Sequence, residues 1–513
     1  MKTHQAVAGG KTLTFAQLKE VVREARDQGK KVVLCHGVFD LMHPGHVLHF
    51  KSARRHGDLL VVTITPDRFA RKAPGRPVFP QRLRVETIAA LEVVDFVALN
   101  EWPTAVETIR ELKPHVYAKG SDYADAEFDV TGNITKEETA IQEVGGEILF
   151  TQEESFSSSH LINQFFQSHP PETEAFLRDF RKRHSADEII GILEALSDLR
   201  VLVVGEAIYD QYTYCLPLAK SPKSTIIAAK FASEEDFAGG SLAVTNHIAG
   251  FCREVTLVTT LGPNEKEFQF IRSKLKPNVQ LCAVRTPDRP TILKRRFLDP
   301  NSMSKIFEIQ YLDDTPIPAD CEKDIRGHLT KNLSGHDLVV VADFGHGMLT
   351  EGIRDDLYSS QKFLAVNAQT NSANLGFNPI TKYHRADYVC VDEPELKLAA
   401  QSLYGEIPAM VHKVCQQLHT SYFMVSLGHK GTMFFSKDGS SHTTPVFSTR
   451  VEDRTGAGDA LFAMTSPCVY RNCPPDILGL IANCVGAIAI EIVCNREFVE
   501  PTVLKKFITY LLK

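Results

Sequence analysis

A chain of 513 residues is too long for one ordinary core and sets an expectation of two to four domains. Its 43% hydrophobic and 23% charged residues are ordinary globular values. With 57 basic against 63 acidic side chains the net charge is −6, which argues against nucleic-acid or membrane-surface binding through bulk charge and leaves phosphate binding to local sites.

In chain order, the first helix is legible from its ends. Thr14 followed by Gln17 makes a capping box, Leu18, Val21, Val22 and Ala25 form one apolar face, and Gly29 suits the stop. Short β-rich runs follow at Val32-Val33-Leu34, Leu59 to Ile64, Asp95 to Leu99, Val116 to Ala118 and Glu147 to Phe150, with helical stretches between them. That alternation predicts a parallel α/β sheet closing near residue 166. Residues 167–197 read as a connector: Pro170-Pro171 breaks the chain, and Ser185 with Glu188 caps a helix from Ala186 to Leu196. A second α/β pattern opens at Val201-Leu202-Val203-Val204-Gly205 and runs from 198 to 513. Within it, Leu478 to Cys494 approaches membrane length but contains Asn483 and Glu491, so a buried core helix is expected. Eleven scattered cysteines, without metal-type spacing, read as reduced thiols. Met1 to Gly10 has no apolar h-region, and the expected location is the cytoplasm.

The first chemical candidate directly follows a buried strand. Cys35-His36-Gly37-Val38-Phe39-Asp40-Leu41-Met42-His43-Pro44-Gly45-His46 places two histidines three apart where a strand turns into a helix. Ligands of open α/β sheets bind at such strand ends. Gly37 and Gly45 allow close backbone approach to phosphates, and the helix start offers free N–H groups. His43 and His46 can both stabilise a triphosphate as its α-phosphate is attacked, chemistry that needs positioning and charge stabilisation rather than a covalent nucleophile. A bare H-x-G-H fits two turn histidines equally well, and the surrounding string decides.

That string resembles the cytidylyltransferase-like nucleotidyltransferases. Arg76-Pro77-Val78, Gln81-Arg82, Lys119-Gly120-Ser121-Asp122-Tyr123 and Ser157-Ser158-Ser159 stand in the order found in the adenylyltransferase half of bacterial ADP-heptose synthesis enzymes. The resemblance implies a Rossmann-like domain over 1–166, transition-state stabilisation by His43 and His46, and a phosphate contact from Lys119. It also implies nucleotide binding through Gly37, Phe39, Asp40, Gly45, Arg82 and Ser157 to Ser159, with Lys72 a further candidate. Glycerol-3-phosphate cytidylyltransferases usually carry an arginine just before the serine segment, where this chain has Glu153-Glu154-Ser155-Phe156. ATP is therefore expected over CTP.

The second candidate is Asp453-Arg454-Thr455-Gly456-Ala457-Gly458-Asp459. Glycines at a helix start form an anion hole for a migrating γ-phosphoryl group, and an aspartate just beyond takes the proton of an attacking hydroxyl. A lone G-x-G would suit an ordinary helix start, but this longer string resembles the second signature of the ribokinase-like (PfkB) sugar kinases. That resemblance implies a ribokinase-like α/β fold with a small β lid, Asp459 as base, and Gly456, Ala457 and Gly458 as anion hole. Gly428 and Gly431 fall on the nucleotide side, and Asp210, Gly239 and Gly240 on the sugar side. Lys294 and Arg296 meet a substrate phosphate, and Glu395 acts indirectly on Mg2+ carried by ATP.

Three positions depart from the pattern. Ala243 stands where an asparagine is usual, Asp392-Glu393-Pro394-Glu395 replaces Asn-x-x-Glu, and His346 replaces the lysine of the heptose kinases. The joint expectation is an enzyme making an ADP-heptose-like nucleotide sugar, with the two halves in reverse order relative to the bifunctional heptose family. Its partners would be a sugar or sugar phosphate, a nucleoside triphosphate, a pathway phosphatase and further copies of itself. Two alternatives stand: a CTP-dependent relative for another sugar or polyol, and an active transferase whose kinase-like half only senses a ligand.

Overall fold

The computed structural model describes residues 10–70, 74–120, 133–151, 169–220, 227–448 and 450–512. Contacts divide the chain into two units, one of Met1–Pro170 with Lys505–Lys513 and one of Pro171–Leu504.

The first unit is a six-stranded parallel sheet. Its strands are β1 (Thr12–Leu13), β2 (Val32–Gly37), β3 (Leu59–Ile64), β4 (Phe96–Leu99), β5 (Val116–Gly120) and β6 (Glu147–Thr151), in the order β1-β4-β3-β2-β5-β6. Val33, Leu34, Val61 and Val62 are fully buried, as sheet residues covered on both faces must be. The first helix, Phe15–Asp27, carries the expected Thr14/Gln17 capping box and buries Leu18, Val22 and Ala25. Because β2 lies between β3 and β5, the chain leaves its two sides in opposite directions, and the C-terminal end of β2 is the switch point of the sheet.

The segment read as a connector is built into the second unit. Helices Pro171–Phe180 and Ala186–Glu194 bury Leu177, Phe180, Ile189 and Leu193. Thr173 donates to the Val446 carbonyl at 3.1 Å, and His184 lies 2.8 Å from Asp476. Ser185 caps the second of these helices as expected, although it ends at Glu194 rather than Leu196. A breaker followed by polar helices looks like a tether in sequence. Each helix nevertheless keeps one apolar stripe, and burying that stripe outweighs its exposed charge.

The second unit holds a nine-stranded sheet and a smaller four-stranded one. The large sheet comprises β7 (Arg200–Gly205), β10 (Glu254–Leu261), β11 (Val279–Arg285), β14 (Leu338–Asp343), β15 (Phe363–Ala368), β16 (Tyr388–Asp392), β17 (Tyr422–Ser426), β18 (Thr432–Phe435) and β19 (Ser441–Thr444). Its order is β11-β10-β7-β14-β15-β16-β17-β18-β19, parallel as far as β17 and antiparallel beyond it. The small sheet, β8 (Ala207–Lys220), β9 (Ile227–Gly240), β12 (Ile292–Leu298) and β13 (Lys305–Tyr311), pairs as β13-β12-β8-β9 and matches the expected lid. Helix Pro475–Ala489 is buried among these elements, and no helix among the described residues is long and apolar enough to cross a membrane.

One buried arginine organises the turn that the first unit's switch point needs. Arg84, on helix Gln81–Ala89, is 1% exposed. Its guanidinium donates to the carbonyls of Val38 (2.5 Å), Thr65 (3.0 Å) and Phe79 (2.9 Å) and to the Asp67 carboxylate (2.5 Å). Replacing it would leave buried acceptors without donors, a loss larger than that of any one hydrogen bond. Arg84→Met is expected to lower unfolding free energy by about 3 kcal/mol, read as a fall in the urea midpoint of the transition that reports the first unit.

Candidate functional sites

Each unit carries one constellation at the C-terminal ends of its parallel strands. In the first, β2 ends at Gly37 and the chain turns through Phe39, whose φ is +49°, into helix Pro44–Arg54, with Gly45 in its first turn. His43 caps this helix from extended backbone, and His46 follows one turn on. The two imidazoles lie with ring centroids 3.8 Å apart and their planes tilted by 36°. Phe39 packs edge-on against His46 at 5.5 Å and also against Phe50, so it supports His46. His43 and His46 are thus brought together at the switch point. An apolar depression of about 490 Å³ opens beside them, lined by Met42, Pro44, Val47, Leu48 and Leu91.

Other expected residues of this site are placed differently from one another. Asp40 is buried, and its carboxylate accepts from Arg76 Nε (2.6 Å) and from the amides of Val78 (2.7 Å) and Phe79 (3.1 Å). It braces the segment after Arg76. Lys119, at the end of β5, lies 2.8 Å from Glu137, which also accepts from the Tyr117 hydroxyl at 3.0 Å. Sequence reasoning missed Glu137, because its helix, Asn133–Glu143, approaches Lys119 only in the folded chain. Arg82 points to solvent and pairs with Glu86 one turn along its own helix. It does not join the histidines. His36 is tied by both ring nitrogens to Thr63 and Thr65, and burial, aided by Lys119, lowers its pKa to about 3. Lys72 and Ser157, Ser158 and Ser159 lie outside the described residues.

The second constellation lines a cavity of about 300 Å³. Asp459 sits in the first turn of helix Ala457–Tyr470, and Gly456 and Gly458 share its wall. Gly456 adopts φ +86°, and a Cβ there would lie 2.4 Å from Asn495 Oδ1, so only glycine suits that turn. From the lid, β8 contributes Asp210 and β12 contributes Lys294 and Arg296. Gly239, on the neighbouring strand, leaves the space that the Asp210 carboxylate fills; a Cβ would meet its Oδ2 at 1.9 Å. Gly240 lines the same cavity. The lid thus delivers Asp210, Gly240, Lys294 and Arg296 to the cavity that holds Asp459, and Gly239 makes room for one of them.

Electrostatics separate the two lid cations. Arg296 is saturated, paired with Asp210 and, at 2.6 Å, with Glu308. Lys294 is buried, and desolvation lowers its pKa despite the nearby Asp210, Glu308 and Asp459. It is the cation of the pair that retains attraction for an incoming anion. Asp459 is pushed up to about 7, first by burial, with the Asp210 charge adding to it; a hydrogen bond from Gln369 (2.6 Å) and the Lys294 charge act against this.

The departures from the expected pattern acquire physical meanings. Asp392 and Glu395 form a capping box at the start of helix Glu393–Ala400. The two Glu395 oxygens accept from the amides of Thr370 (2.9 Å) and Asp392 (3.0 Å), while burial and the Asp392 charge raise its pKa to about 8. His346 is 2% exposed, and neither ring nitrogen meets a hydrogen-bond partner among the described residues. Burial holds it neutral, with a pKa near 4. Ala243 is wholly buried in helix Ser241–Ala249. Gly428 and Gly431 frame the turn after β17, whose Ser426 reaches the cavity. Gln369 was missed in the sequence, because a lone glutamine after a strand carries no spacing signal.

With this geometry in view, known proteins are informative. A cytidylyltransferase-like family model matches residues 34–165, and a pfkB family carbohydrate kinase model matches residues 198–492. The bifunctional protein HldE of Cronobacter sakazakii is 43% identical over 121 residues, which are 23% of this chain and 26% of that protein. HldE of Edwardsiella ictaluri is 40% identical over 162 residues, 31% and 32% of the two chains. The chain therefore spans about a quarter to a third of the length of these curated relatives. A point mutant of phosphofructokinase-2 from Escherichia coli aligns with TM-score 0.50 at 13% identity, over 61% of this chain and 100% of that one, a likeness of fold alone.

The buried Asp459 predicts a pH-dependent stability. Its folded-state pKa of about 7 exceeds the ordinary 3.8, so the folded protein holds a proton more tightly than the unfolded chain. The stability from that proton is complete below about pH 4 and is lost as pH rises through 7. Asp459→Asn is expected to raise the unfolding free energy at pH 8 by on the order of 1–4 kcal/mol relative to its effect at pH 4. Thermal unfolding of both proteins across that range checks this.

Proposed function

The chain belongs to the pfkB family of carbohydrate kinases, and from that premise we propose that it is a bifunctional enzyme. Its second unit phosphorylates a sugar or sugar phosphate with ATP, and its first joins a sugar 1-phosphate to a nucleotide with release of pyrophosphate. The observation that carries the kinase reading is the convergence of Asp459, Asp210, Lys294 and the Gly456–Gly458 turn on one cavity.

Asp459 takes the proton of the sugar hydroxyl as that oxygen bonds to the γ-phosphorus of ATP and the bond to the β-phosphate bridge breaks. N–H groups at the start of helix Ala457–Tyr470 receive the charge building on the phosphoryl oxygens. Asp210 binds sugar hydroxyls, and Lys294 attracts a phosphate already on the sugar. Gly428 and Gly431 shape the nucleotide side. Among the described residues no group of three side chains suits a metal by itself. Asp392 and Glu395 on the cavity wall do fit an ion held mainly by phosphate oxygens and water. Bound Mg2+ would neutralise phosphate charge there.

In the first unit, His43 and His46 stabilise the α-phosphate under attack, and Lys119, released from Glu137, meets the phosphates. Ser157 to Ser159 complete the nucleotide site. Glu153-Glu154-Ser155-Phe156, where CTP-using relatives usually carry an arginine, favours ATP over CTP, and the match to the bifunctional HldE proteins favours an ADP-heptose-like product. This chain carries the two halves in reverse order relative to the heptose family. A phosphatase between the two steps is the implied pathway partner, and the cytoplasm the implied location. A second reading keeps the kinase-like unit as a ligand sensor; Ala243, in place of a polar sugar contact, favours it. The exposed apolar side chains Leu216, Phe231, Phe307 and Tyr311 on the lid sheet favour self-association.

Asp459→Asn is expected to cut ADP release across a panel of heptose phosphates and hexoses by about 10²–10⁴-fold. His46→Ala is expected to cut pyrophosphate release with ATP by about 10²-fold or more. If wild type and Asp459→Asn both release no ADP, the sensor reading replaces the kinase. Pyrophosphate release with CTP alone would overturn the ADP-sugar product. Sedimentation of wild type as a dimer or larger, reduced by Phe231→Ser with Phe307→Ser, is the expected sign of self-association; a monomeric wild type rejects it.

A further inference from the structure

Asp459 meets an unusual neighbourhood. The groups facing it are Asp210 from β8, Lys294 from β12, Cys390 from β16 and Glu395 from helix Glu393–Ala400. Two of these are carboxyl groups, of which Asp210 raises the hold of Asp459 on a proton, and one is a cation. Among the described residues, the side chain that hydrogen-bonds its carboxylate is the amide of Gln369, Nε2 to Oδ1 at 2.6 Å.

Gln369 is itself held on its backbone. Its N–H donates to the Asp343 carbonyl at 2.8 Å, and its carbonyl accepts from the side-chain amides of Asn374 (2.9 Å) and Asn378 (3.2 Å). These two asparagines and Asn371 reach across to the loop after β14. Asn371 and Asn374 donate to the Phe344 carbonyl, and Asn378 donates to both the backbone and the side chain of Asp343. Thr370, the next residue, donates its N–H to Glu395. The glutamine is therefore clamped between two loops, with only its side chain extending to Asp459.

We propose that Gln369 is the positioning residue for Asp459: its amide fixes one carboxylate oxygen and leaves the other to take the proton of the sugar hydroxyl. This rests on the kinase reading. An amide suits the task where a lysine or arginine does not. A full positive charge in contact would pull the carboxylate far down and strip it of basicity, whereas a neutral donor stabilises the ionised form only in part. The amide also cannot itself become the base, so the proton has one destination. The proton passes from the sugar hydroxyl to the second Asp459 oxygen as the new O–P bond forms and ADP leaves, and it is later lost to water.

The test uses the full chain with Mg-ATP and the same sugar panel, from pH 6 to 9. Gln369→Met keeps length without a donor. Gln369→Glu keeps shape but adds a like charge, and it stands in if the methionine variant does not fold. Both are expected to move the acidic limb of the ADP-release profile upward by about one pH unit. That is on the order of a tenfold loss near pH 6.5, recovered by pH 9, with the KM for sugar little changed. A purely structural glutamine would lower activity equally at all pH values, and that result overturns the proposal. A second readout does not depend on turnover: titration of the Asp459 carboxyl carbon by 13C NMR in aspartate-labelled protein, assigned by its loss in Asp459→Asn. The expected result is a higher midpoint in either Gln369 variant than in wild type; equal midpoints overturn the proposal. If wild type releases no ADP from any sugar, the kinase reading fails while the carboxyl titration still decides the role of Gln369.

Discussion

A carboxyl group sealed into the start of a helix is the constraint around which the second unit is arranged. Asp459 must lie at the floor of a small cavity to reach a hydroxyl, yet burial works against its ionised form. Three further acids, Asp210, Asp392 and Glu395, share the cavity. Like charges this close are tolerable only with compensation. Arg296 occupies Asp210 and Glu308, backbone amides occupy Glu395, and Gln369 and Lys294 moderate Asp459. What remains to attract an incoming anion is Lys294 and the donors of the helix start.

The same logic extends from the cavity to the loops that frame it. Asp453, at the head of the signature, accepts from the Tyr212 hydroxyl (2.6 Å), the Cys494 amide (3.0 Å), the Thr455 amide (3.0 Å) and the Lys305 ammonium (2.9 Å). Burial raises its pKa, but these donors more than offset it and hold the group below the ordinary aspartate value. Tyr212 and Lys305 belong to the lid sheet, so the lid and the anion-hole turn share one hydrogen-bonded anchor. On the opposite side, Glu206 accepts from the amides of Phe344, His346 and Met348, and fixes the loop against which the Gln369 segment packs. In the first unit Asp40 and Arg84 play the corresponding part, bracing the turn that presents the histidine pair. In both units, then, buried charges next to the site hold backbone in place, and a smaller set of side chains is left for chemistry.

Local spacing was enough to read several features directly. The Thr14/Gln17 box, the cap at Ser185, the six strands of the first sheet apart from the short β1, and the apolar core helix near the C-terminus all depend on neighbours within a few residues. His43 with His46, and Gly456 with Asp459, are likewise single-turn motifs whose geometry follows from helix periodicity. Spacing also misleads when one pattern serves two ends. Asp392-x-x-Glu395 falls where nucleotide and metal contacts were expected, and it is also a capping box. Arg82 and Arg84 lie two apart on one helix, and only the fold shows that Arg84 turns inward while Arg82 faces solvent.

The amino-acid sequence by itself determined two α/β units, the strands that build them and the two motifs at their strand ends, because these follow from short-range periodicity and turn chemistry. Only the tertiary structure decided which charges meet. Glu137 beside Lys119, Arg296 between Asp210 and Glu308, Lys305 at Asp453 and Gln369 at Asp459 pair residues 12 to 148 positions apart. Such pairings are set by strand order and by which groups are shut away from water, and no local pattern encodes either.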